Sequence, residues 1–397
     1  MRGYLKRTWV EVDLEAIAYN YLEIRKRLPA ESKMMCVVKA DAYGHGAEFL
    51  TKEYENLGAD WFAVSNLEEA IQLRDIGISK PILILGYTPV CEAETLAKFS
   101  IAQAVLSEEY AVKLSEAAKL LGKRISVHIK IDSGMSRIGI ACQSDSECEQ
   151  AANCVKRIHE LPGLFVEGIF THFAVSDCGD HGKMQTEAQY TRFRKVVNLL
   201  KTSGYDIPLC HCSNSGAILD YSGMSLNMVR AGIILYGLMP SENIANKVNL
   251  KPAMQLKTVI SQIKTVDKNT AVSYGGTFVT NRKTRIATVP IGYADGYLRC
   301  FSNRAEMLLH GKRVPVIGRV CMDQLMIDVT DVSQASEGDC VTVFGNDGDE
   351  SISVDDLARL ADSINYEIIC LLGKRVPRIY MKNGRLSGQL NYILRHG

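Results

Sequence analysis

The segment CVVKADAYGHGA, residues 36–47, ends an apolar run in a lysine and follows it at once with polar and glycine residues. An amine held among apolar walls is pushed toward its neutral form, the form that attacks a carbonyl to make an imine. Lys39 is therefore a candidate for covalent chemistry; the plain alternative is a lysine that marks a strand end and reaches solvent. Two more cations stand in HIKIDSGMSRIGI, residues 128–140, where Lys130 closes an apolar run and Arg137 follows in a loop. On position alone they could equally be surface charges. FTHFA places His172 at the end of another run, and HCSNSGA carries His211 and Ser215. A hydroxyl and backbone N–H groups at a helix start suit a phosphate dianion, which makes Ser215 a candidate anion ligand. NMVRAGIILYG then supplies Arg230, Gly232 and Ile233, with Gly232 allowing close backbone approach to such an anion.

A second group lies in the last third of the chain. VSYGGTF carries Tyr274, IGYADGY carries Tyr293, RVCMDQLMIDV carries Arg319, Cys321, Met322 and Asp323, and INYE carries Tyr366. A tyrosine hydroxyl can act as an acid–base group, but tyrosines of a β-rich segment are more often core or edge residues. Twelve cysteines run from Cys36 to Cys370 without a CxxC pair. In a large chain with no secretion signal they read as reduced, mostly buried thiols, so neither a disulfide scaffold nor a metal site is expected.

The elements that must position these residues alternate through the first 240 positions. Short apolar runs at 34–38, 61–65, 82–85, 102–105, 125–129, 165–170, 208–213 and 226–229 are separated by stretches of helical period. Several runs are apolar on both faces, as strands buried in a parallel sheet are. Ser65 and Glu68 have capping-box spacing, with Gly77 where a C-terminal cap belongs. Ser107 opens a stretch with Ala111, Leu114, Ala118 and Leu121 on one face, closed by Gly122; residues 184–201 are helical in period and precede Gly204. Eight strand–helix repeats with right-handed crossovers can close into a (β/α)8 TIM barrel. A doubly wound open sheet is the alternative. In a barrel, Lys39, Lys130 and His172 all fall at C-terminal strand ends, the face on which barrel sites are built.

After about residue 241 the pattern changes. β-Rich runs at 285–289, 313–317, 325–329 and 340–344 are punctuated by Gly, Asp and Asn, and helix signals nearly vanish except at 353–361, where Ser353 is the expected N-cap. The extended start, 8–12, is expected to pair into this part. The fold class is thus α/β, with an N-terminal TIM barrel over 10–241 and a mainly β C-terminal domain over 242–397 together with 1–9.

A formal net charge of +1 gives no reason to expect nucleic acid or an anionic membrane as partner. The apolar run 231–239 is far shorter than the about 20 residues needed to cross a bilayer. The start MRGYLKRTWVEVD has basic residues but no apolar core behind them, so a secretory signal is not expected and a cytoplasmic location is.

VVKADAYGHGA resembles the cofactor-binding stretch of alanine racemases nearly letter for letter, and the likeness recurs from about Thr8 to Tyr380. That resemblance implies a pyridoxal 5′-phosphate enzyme that interconverts L- and D-alanine and supplies D-alanine for peptidoglycan. It implies that the barrel binds the cofactor, that Lys39 forms the internal aldimine and acts as base on the D-enantiomer, and that Tyr43, one helical turn later, directs its hydroxyl to the phosphate. Arg137 would contact the cofactor's phenolic oxygen and the substrate, held by Lys130, whose family counterpart is often carbamylated. His172 would pack near the pyridine ring, and Ser215, Gly232 and Ile233 would hold the phosphate. Arg230 would face the pyridine nitrogen with His211 hydrogen-bonded behind it. A guanidinium keeps its proton, so that nitrogen would stay largely unprotonated and the cofactor would be a weaker electron sink, disfavouring transamination.

In the β domain the resemblance makes Tyr274 the second base, acting on the L-enantiomer from the opposite face. Tyr293, Arg319, Cys321, Met322 and Asp323 would line the substrate entrance and carboxylate site, and Tyr366 would touch the phosphate and narrow the pocket. It further implies a head-to-tail homodimer in which Tyr274 and Met322 of one subunit complete the site around Lys39 of the other. The alternatives are a non-catalytic cofactor-binding barrel, which would lack the β domain, a decarboxylase of the same fold type, and a serine/alanine racemase of the resistance type. The last usually carries a membrane domain and a smaller polar residue at the position of Tyr366.

Overall fold

A computed structural model describes residues 4–394, in two compact units. One comprises Ala16–Ala42 and Ala47–Pro252; the other comprises the residues up to Glu15, Tyr43–Gly46 and the chain from Ala253 onward.

In the first unit eight parallel strands form a closed ring: Lys33–Val37, Trp61–Val64, Ile82–Ile84, Ala102–Val105, Ile125–Asp132, Leu164–Phe170, Leu209–His211 and Met228–Ala231. The last pairs back onto the first, with Arg230 opposite Met35, which closes the barrel. Each expected run is a strand, and the open sheet is excluded. Trp61–Val64 and Ile82–Ile84 are buried at every position, which is why they read as unbroken apolar runs rather than as alternation; Ala102–Val105 and Met228–Ala231 are equally buried although each carries one polar residue, Gln103 and Arg230.

Four of the intervening helices, Leu67–Asp75, Glu108–Leu120, Asp145–His159 and Ser215–Asp220, begin on side-chain caps. Ser107 accepts a bond from the Tyr110 amide at 3.2 Å, as its spacing suggests. At Leu67–Asp75 the cap lies one residue later than expected: Asn66 accepts from the Glu69 amide at 3.0 Å, and the Glu69 carboxylate returns to the Ser65 amide at 2.7 Å. Asn caps as well as Ser, so the sequence held two overlapping solutions.

The turn after Lys39 differs from expectation in hand. Ala40, Asp41, Ala42 and Tyr43 have φ of 51, 56, 52 and 53°, a left-handed turn that costs L-residues about 1–2 kcal/mol each. Local bonds offset that cost: the Ala42 amide reaches Val38 O at 2.8 Å, the Ala40 amide reaches Glu69 at 2.7 Å, and Asp41 accepts from the Ala47 amide at 2.8 Å.

In the second unit an eleven-stranded, almost wholly antiparallel sheet runs from Gln262–Val266 at one edge to Arg385–Leu390 at the other. Thr8–Asp13 joins it as expected, antiparallel to Met254–Val259 and parallel to Arg378–Lys382. Val272, Ile286 and Ile317 form one buried apolar cluster. Ser353 caps Val354–Leu360 through a reciprocal box with Asp356. A second short helix, Asn365–Cys370, lacks any side-chain cap, which is why the sequence did not announce it. Gly44, whose φ is +77°, packs so that a Cβ would lie 2.2 Å from Ile369 O, while Arg378 donates to Gly44 O at 2.9 Å. No helix among the described residues is long and apolar enough to cross a membrane.

Candidate active site

The C-terminal end of the barrel holds a buried cluster of cations. Arg230, on the eighth barrel strand, is 3% exposed. Its guanidinium bonds to His211 Nδ1 at 2.8 Å, to Thr171 O at 2.8 Å, to Cys212 O at 2.9 Å and to His172 Nδ1 at 3.2 Å. All four are neutral acceptors. Burial pulls the Arg230 pKa down to about 10, which leaves it charged at neutral pH. Lys130, on the fifth strand, is also buried; its amine donates to Ile131 O at 2.8 Å and lies 5.6 Å from the Phe170 ring centre. Burial, then the Arg230 charge, lowers its pKa to about 7, against the opposing pull of Asp132. The Asp132 carboxylate is engaged in shaping the next loop, accepting from the amides of Gly134, Met135 and Ser136 at 3.1, 2.9 and 3.0 Å. That loop presents Arg137 exposed.

His172 follows the sixth strand. Burial and then the charges of Arg230, Lys130, Arg137 and Lys39 hold its pKa well below the usual imidazole value, so its ring is neutral. Lys39 follows the first strand and is half-buried. Ser215, 6% exposed, accepts from the Gly232 amide at 3.1 Å, which joins two of the expected anion ligands. Gly232 has ψ of −107°, outside the α and β regions open to residues with a Cβ. Ile233 is fully buried beside it in sequence.

In the second unit Tyr43 and Tyr366 come together, ring centres 6.0 Å apart. Tyr43 is 8% exposed, and burial raises its pKa. Tyr274, Tyr293 and Met322 are exposed rather than in the core, at 70%, 43% and 52%. Tyr274, Cys321, Met322 and Asp323 line one open cavity of about 560 Å³. Ser273, at φ +65°, donates to Arg319 O at 2.7 Å, and a Cβ on Gly275 would lie 3.2 Å from the Arg319 guanidinium. The Tyr293 amide reaches Cys321 O at 3.1 Å, tying the two loops together, and Arg375 pairs with Asp323 at 2.8 Å.

Sequence reasoning gave no role to His128, Glu167 or Phe170. His128 Nδ1 is 2.9 Å from His211 Nε2, and its Nε2 is 3.7 Å from Glu167. Phe170 stacks on His211 at 4.9 Å with 1° between ring planes. The available signal was spacing: His128 stands two residues before Lys130, on the same face of one strand.

A buried guanidinium with only neutral acceptors, beside a lysine whose charged form is disfavoured, leaves net positive potential to be met by an anion. Ser215 and Gly232 offer uncharged anion ligands in the same unit, and the half-buried Lys39 offers an amine. These residues fit a small, dianionic carbonyl cofactor such as pyridoxal phosphate.

Residues 12–240 match the alanine racemase N-terminal domain family, and residues 253–380 match the alanine racemase C-terminal domain family. An alanine racemase of Oceanobacillus iheyensis is 46% identical over 392 residues, covering 99% of this chain and 97% of that protein. The structure resembles that of alanine racemase from Clostridium difficile 630 in complex with cycloserine, with a TM-score of 0.91, 38% identity, and coverage of 99% and 100% of the two chains. It also resembles alanine racemase from Bartonella henselae with covalently bound pyridoxal phosphate, with a TM-score of 0.83, 26% identity, and coverage of 95% and 100%. With both family domains matched in order and relatives similar along nearly their whole length, the chain belongs to the alanine racemase family.

Proposed function

We propose that the chain racemises alanine by two bases, Lys39 and Tyr274, with pyridoxal 5′-phosphate as cofactor. The observation that carries this reading is the buried Arg230, bonded to neutral partners only and grouped with Lys130 at the strand ends that bear Lys39 and His172. When bound, pyridoxal phosphate supplies an electron sink that weakens the Cα–H bond of the amino acid. Lys39 holds the cofactor and moves the proton at Cα of D-alanine, while Tyr274 moves it on the L face. Ser215, Gly232, Ile233, Tyr43 and Tyr366 hold the phosphate. Arg137 and Met322 contact substrate, with Lys130 orienting Arg137, and Tyr293, Arg319, Cys321 and Asp323 shape the approach. Arg230 remains protonated, backed by His211, and His172 packs against the cofactor ring as a neutral imidazole.

Tyr274 is exposed on its own chain. This supports a homodimer in which Tyr274 and Met322 of one subunit complete the site around Lys39 of the other. The reaction supplies D-alanine for peptidoglycan in the cytoplasm. Borohydride reduction of the holoenzyme followed by peptide mass analysis should place the pyridoxyl group on Lys39, and the untreated enzyme should convert L-alanine to D-alanine only with the cofactor. A pyridoxyl group on another lysine would overturn the site assignment.

A further inference from the structure

We propose that His128 and Glu167 are positioning residues for Arg230: a one-way chain, hydrogen-bonded from Arg230 to His211 to His128 and facing the Glu167 carboxylate at its far end, holds both imidazoles in the Nε2–H tautomer and keeps the guanidinium a pure donor. The proposal rests on the function above only where it assigns Arg230 to the cofactor's ring nitrogen.

The direction follows from Arg230. A guanidinium has donors and no acceptor, so at 2.8 Å it must donate to His211 Nδ1. His211 then carries its proton on Nε2, which lies 2.9 Å from His128 Nδ1. His128 Nδ1 must therefore accept, and its own proton sits on Nε2. That atom is fully buried and has no hydrogen-bond partner in range; the nearest charge is Glu167 Oε1 at 3.7 Å. A proton on either Nδ1 would set two donors against each other. Burial lowers both imidazole pKa values, in agreement with neutral rings.

Two local irregularities of the sixth strand serve this arrangement. The register passes from Val127 opposite Val166 to His128 opposite Gly168, which leaves Glu167 as an extra residue. Such a bulge re-aims a side chain, here toward His128. At Gly168 a Cβ would lie 2.2 Å from His128 Nδ1, so only glycine leaves room for the ring. Trp61 meets His128 edge-on at 5.2 Å, and Phe170 stacks on His211. The ring planes are thereby fixed as well as the protons.

The chain also separates charge. A carboxylate bonded directly to Arg230 would neutralise it. Two neutral imidazoles keep the anion remote, on Glu167, whose side chain is 20% exposed while that of His128 is 0%.

The test uses histidine-¹⁵N-labelled holoenzyme reconstituted with ring-¹⁵N pyridoxal phosphate, so that both imidazoles and the ring nitrogen are read in one sample. In the wild type at neutral pH both His211 and His128 should give the neutral Nε2–H pattern. Glu167→Gln keeps the shape and removes the charge, and Gly168→Ala displaces His128 without deleting a polar group. Each should shift the His128 signals toward mixed tautomers and lower kcat about two- to tenfold, the factor one net hydrogen bond is worth, with a smaller change in KM. A merely structural role would lower Tm while leaving the tautomers and kcat of the folded enzyme unchanged, and that result overturns the proposal. So does an Nδ1–H or doubly protonated imidazole in the wild type. If the tautomers are as expected but the ring nitrogen does not respond to Arg230→Lys, the relay stands and the assignment of Arg230 to the ring nitrogen falls.

Discussion

Lys130 should react with carbon dioxide. Burial and Arg230 lower its amine from the ordinary 10.5 to about 7. At pH 7 about half of the amine is then neutral, against roughly 1 part in 3,000 for an ordinary lysine, a gain on the order of 10³ in nucleophile. The neutral amine attacks CO₂, a C–N bond forms, and one proton is released, leaving a carbamate whose negative charge suits the neighbouring Arg230 and Arg137. The bare amine also affects stability. Its folded pKa lies below its unfolded one, so as pH falls from 10.5 toward 7 the unfolded chain takes up a proton that the folded chain refuses. Stability declines across that window by on the order of 5 kcal/mol and changes no further from this group below it. In ¹³C-bicarbonate at neutral pH the enzyme should show a carbamate carbon resonance that vanishes in Lys130→Ala. In CO₂-free buffer Lys130→Met should be more stable than wild type by roughly 2 kcal/mol, after loss of the bond to Ile131 O. Absence of the resonance under saturating bicarbonate, or its survival in Lys130→Ala, would refute the reasoning; so would a CO₂-free wild type whose stability is flat between pH 7 and 10.5.

Tyr274→Phe should lower racemisation in both directions by about 10²–10⁴. In D₂O it should still exchange the α-hydrogen of D-alanine with retained configuration; equal exchange of both enantiomers would exclude Tyr274 as the second base. Mixing Lys39→Ala with Tyr274→Phe should restore activity through hybrid dimers with one intact site, and silence despite demonstrated subunit exchange would end the shared-site idea. Tyr366→Asn should raise the serine-to-alanine ratio of kcat/KM by a factor worth about 1–3 kcal/mol, as one pocket contact usually is; a ratio that stays level or drops counts against its role in substrate size. Gly44→Ala should destabilise the fold by roughly 2–4 kcal/mol in urea denaturation, from a Cβ 2.2 Å from Ile369 O and a φ of +77°. A change near zero would mean the turn relaxes freely.

The barrel was legible because its strands are buried on both faces. Such segments are apolar at nearly every position, and 61–64 or 82–84 show this without reference to any partner. Thr8–Asp13 was legible for a related reason, since an isolated extended start must find a sheet. The helix at Asn365 escaped notice because it has no cap and only six residues, too few to display a period. In the site, the types and spacing of Lys39, Lys130, Arg230 and Ser215 marked them individually, since strand-end cations and a hydroxyl beside a glycine are local facts.

By itself the sequence determined which segments are buried, where strands end, and hence which polar residues stand at one end of the barrel. Burial is a property of single side chains, so it leaves a local trace. The tertiary structure alone decided the hand of the turn after Lys39 and the direction of the chain from Arg230 to Glu167. The hand depends on which acceptors meet residues 40–47, among them Glu69, and Gly44 finds Arg378, 334 residues away. The direction depends on which nitrogen of each imidazole faces Arg230, set by pairings across strands 19 and 83 residues apart. A bulge that inserts Glu167 is invisible in its own strand, because it exists only as a mismatch of register with the neighbour.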